Sequence, residues 1–502
     1  MNNYTRENRP WIIWLTIIAV ILACVGVFFY YTLLRQSKSE LIEAIPTDAT
    51  FIFTINDNDA FVRDTKSVTP YLNELFLLDA LPAYETMRGK LPTGEYDLTI
   101  SGHTENDGIS ILFNMHSDKA AFKRLLRALS IDPNNYTAFE NNRIYTYGTN
   151  FKSVKFVYTN HIISFSTDVE LLKRAIVQHA HPKNLLSDKQ FKEMYNLTEK
   201  NRKQNWLIVQ PQKYLPYLTT FLKDELTKKL SACLDKSGWT ALQLRFSGKD
   251  LYLSGYMFSE NPNEDFDILM NRNGNEMEIT DLYPSQIAWY THLETQKVRD
   301  LQKLKTSEEN ILANLNPTEI GYFSLRLDSI DYKYVIMLPD SNHNVLEGLF
   351  GEKSDSIRAA HPDGIYPTLS NILPLLKLFA PDSVACVMER GKALVFAPSK
   401  DAMKGYLNRM KATGSLSQNR YYPFVNEAVA SSSILNFVLF NNETLPYWSS
   451  QLSDKGKSSN FGKDLHILSL SCETMERGKN LVPVNLYLHF EFQVSGFKAK
   501  SQ

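Results

Sequence analysis

ISFSTDVELLKRAI, residues 163–176, and LVFAPSKDAMKGYL, residues 394–407, follow one local plan. Each is a short strand ending in Phe, then a polar cap, then an amphipathic helix. Phe165 falls on Phe396 and Leu172 on Met403. The match extends in both directions. Upstream, IPTDATFIFTI at 45–55 corresponds to YPSQIAWYTHL at 283–293, each with Pro second and a strand-like run behind it. Downstream, LLSDKQF at 185–191 corresponds to SLSQNRY at 415–421. WLIVQPQKYLPYL at 206–218 corresponds to NFVLFNNETLPYW at 436–448, with Leu215-Pro216-Tyr217 recurring as Leu445-Pro446-Tyr447. Four matches keep one order, with a spacing of about 238 residues at the first and about 230 at the last, as a duplicated unit with variable loops requires.

Each copy reads as α+β. In the first, alternating runs rich in Ile, Val, Tyr, Phe and Thr predict strands near 49–55, 96–102, 109–115, 143–148, 153–158, 162–166, 205–210, 238–246 and 251–258. Short links between several neighbours predict antiparallel hairpins. Helices are expected near 59–88, 118–129, 168–180, 188–198 and 212–232, with Asp118 and Asp168 as N-caps. The second copy repeats the order. Its strands are expected near 286–292, 319–327, 332–338, 383–388, 393–397, 434–440, 465–472 and 483–492. Its helices are expected near 295–313, 342–350, 369–379, 399–410 and 420–429. SDKGKSSNFGKD at 453–464 reads as an exposed loop.

Ahead of the first copy lies WIIWLTIIAVILACVGVFFYYTLL, residues 11–34, with no charge inside it. As a helix it spans about 36 Å, enough for a hydrocarbon core of about 30 Å. Trp11 and Trp14 mark one interface and Tyr30 and Tyr31 the other. A cleaved signal has a shorter apolar core and a small-residue site. The lipobox-like Ile21-Leu22-Ala23-Cys24 is followed by more apolar sequence instead of a polar tether. The expectation is a retained single-pass helix. Arg6 and Arg9 precede it and Arg35 and Lys38 follow it, so the positive-inside count is nearly balanced. The short charged leader favours an inner N-terminus, placing the large domain in a bacterial periplasm. The expected organisation is a tail at 1–10, a transmembrane helix at 11–34, a juxtamembrane linker at 35–44, a first repeat at 45–258, a linker at 259–282, a second repeat at 283–492 and a tail at 493–502.

A net charge of −1 supplies no basic field for nucleic acid. Four cysteines without a CxxC pair argue against a disulfide framework or a cysteine zinc site, and Cys386 and Cys472 read as separate buried thiols. G-x-S-x-G, H-E-x-x-H, Walker A and G-x-G-x-x-G are all absent from the sequence. His179-Ala180-His181 is the one close histidine pair, and it sits at a helix end without further ligands beside it. No catalytic, cofactor-binding or metal-binding residue is therefore assigned, and no cofactor is expected.

Pro46, Asp48 and Ala49 lead into the strand Phe51-Ile52-Phe53. Phe165 to Ala175 forms a strand and a capped helix, and Leu186-Ser187 leads to Phe191. With the N-terminal membrane helix, these features resemble a family of uncharacterised bacterial envelope proteins defined only as a domain of unknown function. The resemblance covers most of 45–450, and Ser285 and Gln286 after Pro284 depart from it. It implies location and architecture and carries no activity. The expected function is a non-enzymatic, membrane-tethered binding or scaffold module with the membrane and an envelope protein as partners. The alternatives are an envelope hydrolase with a dispersed site, or a carrier of lipid or another apolar ligand.

Overall fold

The computed structural model describes residues 41–56, 58–76, 90, 97–105, 108–148, 153–181, 183–201, 203–224, 226–228, 231, 237–259, 277–294, 317–328, 330–339, 345–368, 384–428, 433–441, 447–473 and 480–491. The apolar segment at 11–34 and the helices expected at 295–313 and 369–379 lie outside these residues. Among the described residues no helix is long and apolar enough to cross a membrane.

The fold is α+β, built on a large antiparallel sheet with helices on both faces. Strand β1 (Phe51–Ile55) lies between β2 (Leu98–Glu105) and β8 (Asn205–Val209). Beyond β2 come β3 (Gly108–His116), β7 (Ile162–Ser166), β6 (Ser153–Thr159), β5 (Asn142–Gly148) and the short edge strand β4 (Thr137–Phe139). Beyond β8 come β9 (Thr240–Ser247) and β10 (Asp250–Phe258). The sheet does not stop there. Strand β10 pairs along its whole length with the last strand among the described residues, β19 (Leu481–Phe490). After β19 follow β18 (Leu465–Glu473), β17 (Ser433–Phe440), β11 (Trp289–Glu294) and β12 (Pro317–Leu327). Then come β13 (Ile330–Pro339), β16 (Ala393–Ala397), β15 (Cys386–Arg390) and β14 (Ile365–Pro367).

Counted outward from the β10–β19 seam, both sides are wired alike. Strands β9 and β18 come first, then β8 and β17, β1 and β11, β2 and β12, β3 and β13, and β7 and β16. The long β10–β19 pairing at the seam unites the two sides in one sheet.

Strand alternation sends one set of side chains to each face. On the first face Phe51, Phe53, Ile100, Phe113, Phe165 and Leu207 form a core under four helices. These are α1 (Asn58–Thr65), α2 (Thr69–Phe76), α3 (Lys119–Ala128) and α6 (Pro211–Thr219). That core runs through the seam to Leu253, Val484 and Phe490. Tyr71 of α2 stacks on Phe490 with ring centroids 3.9 Å apart. On the second face α4 (Val169–Ala180) and α5 (Lys189–Lys200) cover one side of the seam. Helices α9 (Lys400–Thr413) and α10 (Tyr422–Ala428) cover the other. Helices α7 (Val345–Phe350) and α8 (Ser354–Ala360) complete the part between β13 and β14. Asp118 and Asp168 cap α3 and α4, accepting from Ala121 N at 2.6 Å and Glu170 N at 2.8 Å.

Three local expectations are corrected. The helix expected over 59–88 is interrupted between Thr65 and Thr69. Pro70 has no N–H to bond back into α1, so it starts a new helix, and Val68 drops into the core between the two. The helix expected over 212–232 is interrupted after Thr219, where Leu222 makes a β-bridge with Leu452, and residues 224, 226–228 and 231 are helical again. Residues 453–464 are not a loop. They form α12 (Asp454–Ser458) and α13 (Asn460–Asp464), after α11 (Tyr447–Gln451). Ser453 and Ser459 cap them, accepting from Gly456 N and Gly462 N. Ser453 also donates to Thr220 O at 2.7 Å, tying this segment to the opposite side of the seam. Strands β4 and β14, three residues each, were not expected from the sequence.

Candidate functional site

Strand β10 reads DLYLSGYMF. Leu251 and Leu253 enter the first-face core, so Tyr252, Ser254 and Tyr256 must point to the second face. The cross-strand register fixes their neighbours. Ser254 lies between Gln243 and Asn485, and Asn485 opposes Ser471. Tyr252 lies between Arg245 and Tyr487, and Tyr487 opposes Ser469. These residues line a cleft of about 250 Å³ on the second face, bordered by Ala428 of α10. Ser469 and Ser471 are each only 2% exposed, yet they line the cleft. Among the described residues, the side-chain polar atoms of Gln243, Ser254, Ser469 and Ser471 have no hydrogen-bond partner in the protein.

One end of the cleft is an acid–base cluster. Asp250 accepts from the Tyr487 hydroxyl at 2.9 Å and from His489 Nδ1 at 2.7 Å. His489 Nε2 is 3.5 Å from Glu491. Glu491 accepts from the Tyr421 hydroxyl at 3.2 Å, and that hydroxyl is 3.0 Å from His466 Nδ1. A register shift between Leu465 and Ile467 admits the extra residue His466. Burial, with the charges of His489 and Arg420, holds the His466 ring below the usual histidine range, although Glu491 and Asp464 pull the other way. Burial would raise the Glu491 carboxyl, but His466, the Tyr421 hydroxyl, Arg420 and His489 together bring it below the usual carboxylate range. Burial and then Asp250 push the Tyr487 hydroxyl up, so it stays a hydrogen-bond donor.

A second constellation lies under α4. His103 Nδ1 donates to Asp48 at 2.9 Å, and the Ser101 hydroxyl is 3.0 Å from His103 Nε2. Arg174 of α4 pairs with the second Asp48 oxygen. Burial would raise the Asp48 carboxyl, but His103 and Arg174 outweigh it and bring it down to about 2. A Ser–His–Asp order with these distances has the connectivity of a hydrolase triad. The placement is wrong for one. Ser101 and His103 are two apart on β2 and fully buried. The open concavity of about 680 Å³ nearby is lined by Asp48 and Arg174, at the opposite end from the hydroxyl. Chemically, this chain of groups fastens the Pro46–Ala49 turn to the sheet and to α4.

The third polar group is buried in the second-side core, where Glu319 meets His292 Nε2 at 3.2 Å. Glu319 also accepts from Glu278 N and Ile279 N, clamping the 278–282 turn. Among the described residues, no group of three or more His, Cys, Asp or Glu side chains is placed to hold a metal. His181 is exposed, and its Nδ1 accepts from Lys183 N at 3.2 Å. Cys386 and Cys472 are free and buried, each thiol pushed up to about 11 by burial.

No family model matches the chain, and no curated protein matches it. Among solved structures, the chain is similar to crystal form IV of TP0453 at 10% identity, over 43% of this chain and 79% of that one, with a TM-score of 0.27. Crystal form I of TP0453 aligns at 7% identity over 73% and 96% of the two chains, with a TM-score of 0.23.

Proposed function

We propose that this protein is a membrane-tethered module of the bacterial cell envelope that binds a ligand or partner without transforming it, with its seat in the cleft at the seam. The observation that carries this reading is a concave site contributed by β9 and β10 on one side and β18 and β19 on the other, whose buried hydroxyls are unclaimed by the protein. The tether is the uncharged segment at 11–34 and the compartment is the periplasm, both argued from sequence. The body is two copies of one α+β unit. The sequence matches and the like wiring on either side of the seam both support that reading. The polar lining of the cleft speaks against a carrier of apolar molecules.

A photo-crosslinking residue at exposed Ser254 in the tethered protein tests the seat, with exposed Ile330 as the remote control. An adduct from position 254 alone is expected. Equal adducts from both, or none from 254, would remove the cleft from the account. Membranes washed in alkaline carbonate should retain the protein, and release into the wash would refute the tether. A hydrolase is the second reading, and the Ser101–His103–Asp48 chain is what favours it. An active-site-directed fluorophosphonate should leave Ser101 unmodified, and modification of Ser101 would install the hydrolase instead.

A further inference from the structure

The lining of the seam cleft specifies a chemical class of ligand. Charge is nearly balanced there. Among the described residues, Arg245 is the one cation lining the cleft, and the Asp250 and Glu427 carboxylates act on Tyr252 and Tyr487 at its wall. A phosphate or other multiply charged ligand would meet too little positive charge and, among the described residues, no helix N-terminus. A peptide docking by strand addition would need a free sheet edge, but β10 and β19 are paired on both sides. An apolar chain would leave the Ser469 and Ser471 hydroxyls unpaired in a closed interface, at a cost of about 1–3 kcal/mol each.

What the cleft offers is a grid of neutral donors and acceptors beside aromatic rings. Neighbouring strands set the groups about 5 Å apart in one direction, and alternate residues set them about 7 Å apart in the other. Gln243, Ser254, Ser469 and Ser471 all lie on that grid, as does the Asn485 amide, which donates to Glu473 at 2.8 Å. The Tyr252 and Tyr487 rings stand 4.9 Å apart, tilted by 34°, and the Arg245 guanidinium lies over Tyr252 at 4.4 Å. A ligand with several hydroxyls around a compact ring, an apolar C–H face and little or no charge satisfies all of these groups together. Those are the properties of a saccharide. Resting on the reading of the cleft as a ligand seat, we infer that it binds a neutral or singly charged saccharide of one or two pyranose rings. The cleft volume of about 250 Å³ lies just below the small-molecule range of about 300–1,000 Å³, in keeping with so short a ligand.

Saturation-transfer NMR on the full chain in lipid nanodiscs tests this, with glycoside detergents kept out because they would compete. The probes are cellobiose, chitobiose and maltose, with trialanine and decanoate as the other classes. At least one disaccharide should bind. Ser469→Ala with Ser471→Ala should weaken it by about tenfold or more, the loss expected for buried hydrogen bonds. Ser254→Arg, a change at an exposed position that fills the cleft, should abolish it. Unchanged melting midpoints show that the variants fold. Disaccharide binding that survives both variants would overturn the cleft as the seat and the saccharide inference with it. Binding of trialanine or decanoate alone, lost in Ser254→Arg, would overturn the saccharide and leave the cleft standing. Silence from every probe would overturn the saccharide, and the crosslink from position 254 would then decide the cleft separately.

Discussion

Beneath α4, strand β2 presents Ser101 and His103 to the helix. At the same place across the seam, strand β12 presents Phe323 and Leu325. All four are buried. On the first side the contact is a polar chain through His103 to Asp48 and Arg174. On the second, Phe323 stacks on Tyr334 at 5.0 Å, with Tyr406 of α9 at 6.1 Å. Gly405 lets α9 sit close, since a Cβ there would lie 2.2 Å from Leu327. The turn residue matching Asp48 is Gln286, which accepts from Arg409 at 3.0 Å. One sheet geometry thus tolerates two opposite interlayers. Apolar packing supplies most of its stability by area. The polar chain supplies direction, because each of its groups is costly to leave unpaired.

The strongest test asks whether the two sides share core positions. Phe165→Ala and Phe396→Ala should each lose about 3–5 kcal/mol in urea unfolding, because both rings are essentially unexposed. A loss below about 1 kcal/mol at either would separate the two sides. Next, Leu325→Ala should cost about 2–5 kcal/mol as a cavity. His103→Leu should cost about 1–3 kcal/mol, although it adds apolar bulk, because Asp48 and Ser101 lose their partner. A neutral His103→Leu would make the polar chain incidental.

Acid should then tell the two sides apart. The folded Asp48 carboxyl lies at about 2, below an unfolded value of about 3.9. Its stabilisation is therefore complete above about pH 4 and lost as pH falls towards about 2. Asp48→Asn should flatten the unfolding midpoint in that window, while Gln286, which does not titrate, contributes no slope there. His466, held low, adds a separate loss as pH falls below about 6.5, near the seam cleft. The smallest effect belongs to the exposed Lys173–Glu170 pair at 2.7 Å, where Lys173→Ala should change stability by less than about 0.5 kcal/mol.

Much of the fold was legible because alternation and helical stripes are local. Strands such as Gly108–His116 and Ile162–Ser166 fall within a residue or two of their sequence-based limits. The break before Pro70 was also legible in principle, since an imino residue cannot continue a preceding helix. Three-residue strands such as β4 have too few residues for a period to emerge. The candidate site was not legible. Asp250, His466 and His489 lie on three strands and Tyr421 just ahead of α10, and only the β10–β19 and β18–β19 pairings with the packing of α10 bring them together. In strand β19, the alternation of Asn485, Tyr487 and His489 with leucines looks like an ordinary solvent face. Asp48 stood out only as part of a strand-start motif, and nothing local connects it to His103.

The seam also sets a timetable. Strand β10 is made well before its partner β19, which begins only at Leu481. Until then the growing chain holds a sheet with an unpaired edge, and Tyr71 lacks the ring of Phe490. Such an edge is a template for pairing with the wrong chain. Closure of this seam must therefore wait for residues 481–490, and a ribosome stalled shortly before residue 481 should yield an aggregation-prone product. Strand β19 serves as the fastener of the sheet, and shortening it should cost yield in the cell before it costs anything in the cleft.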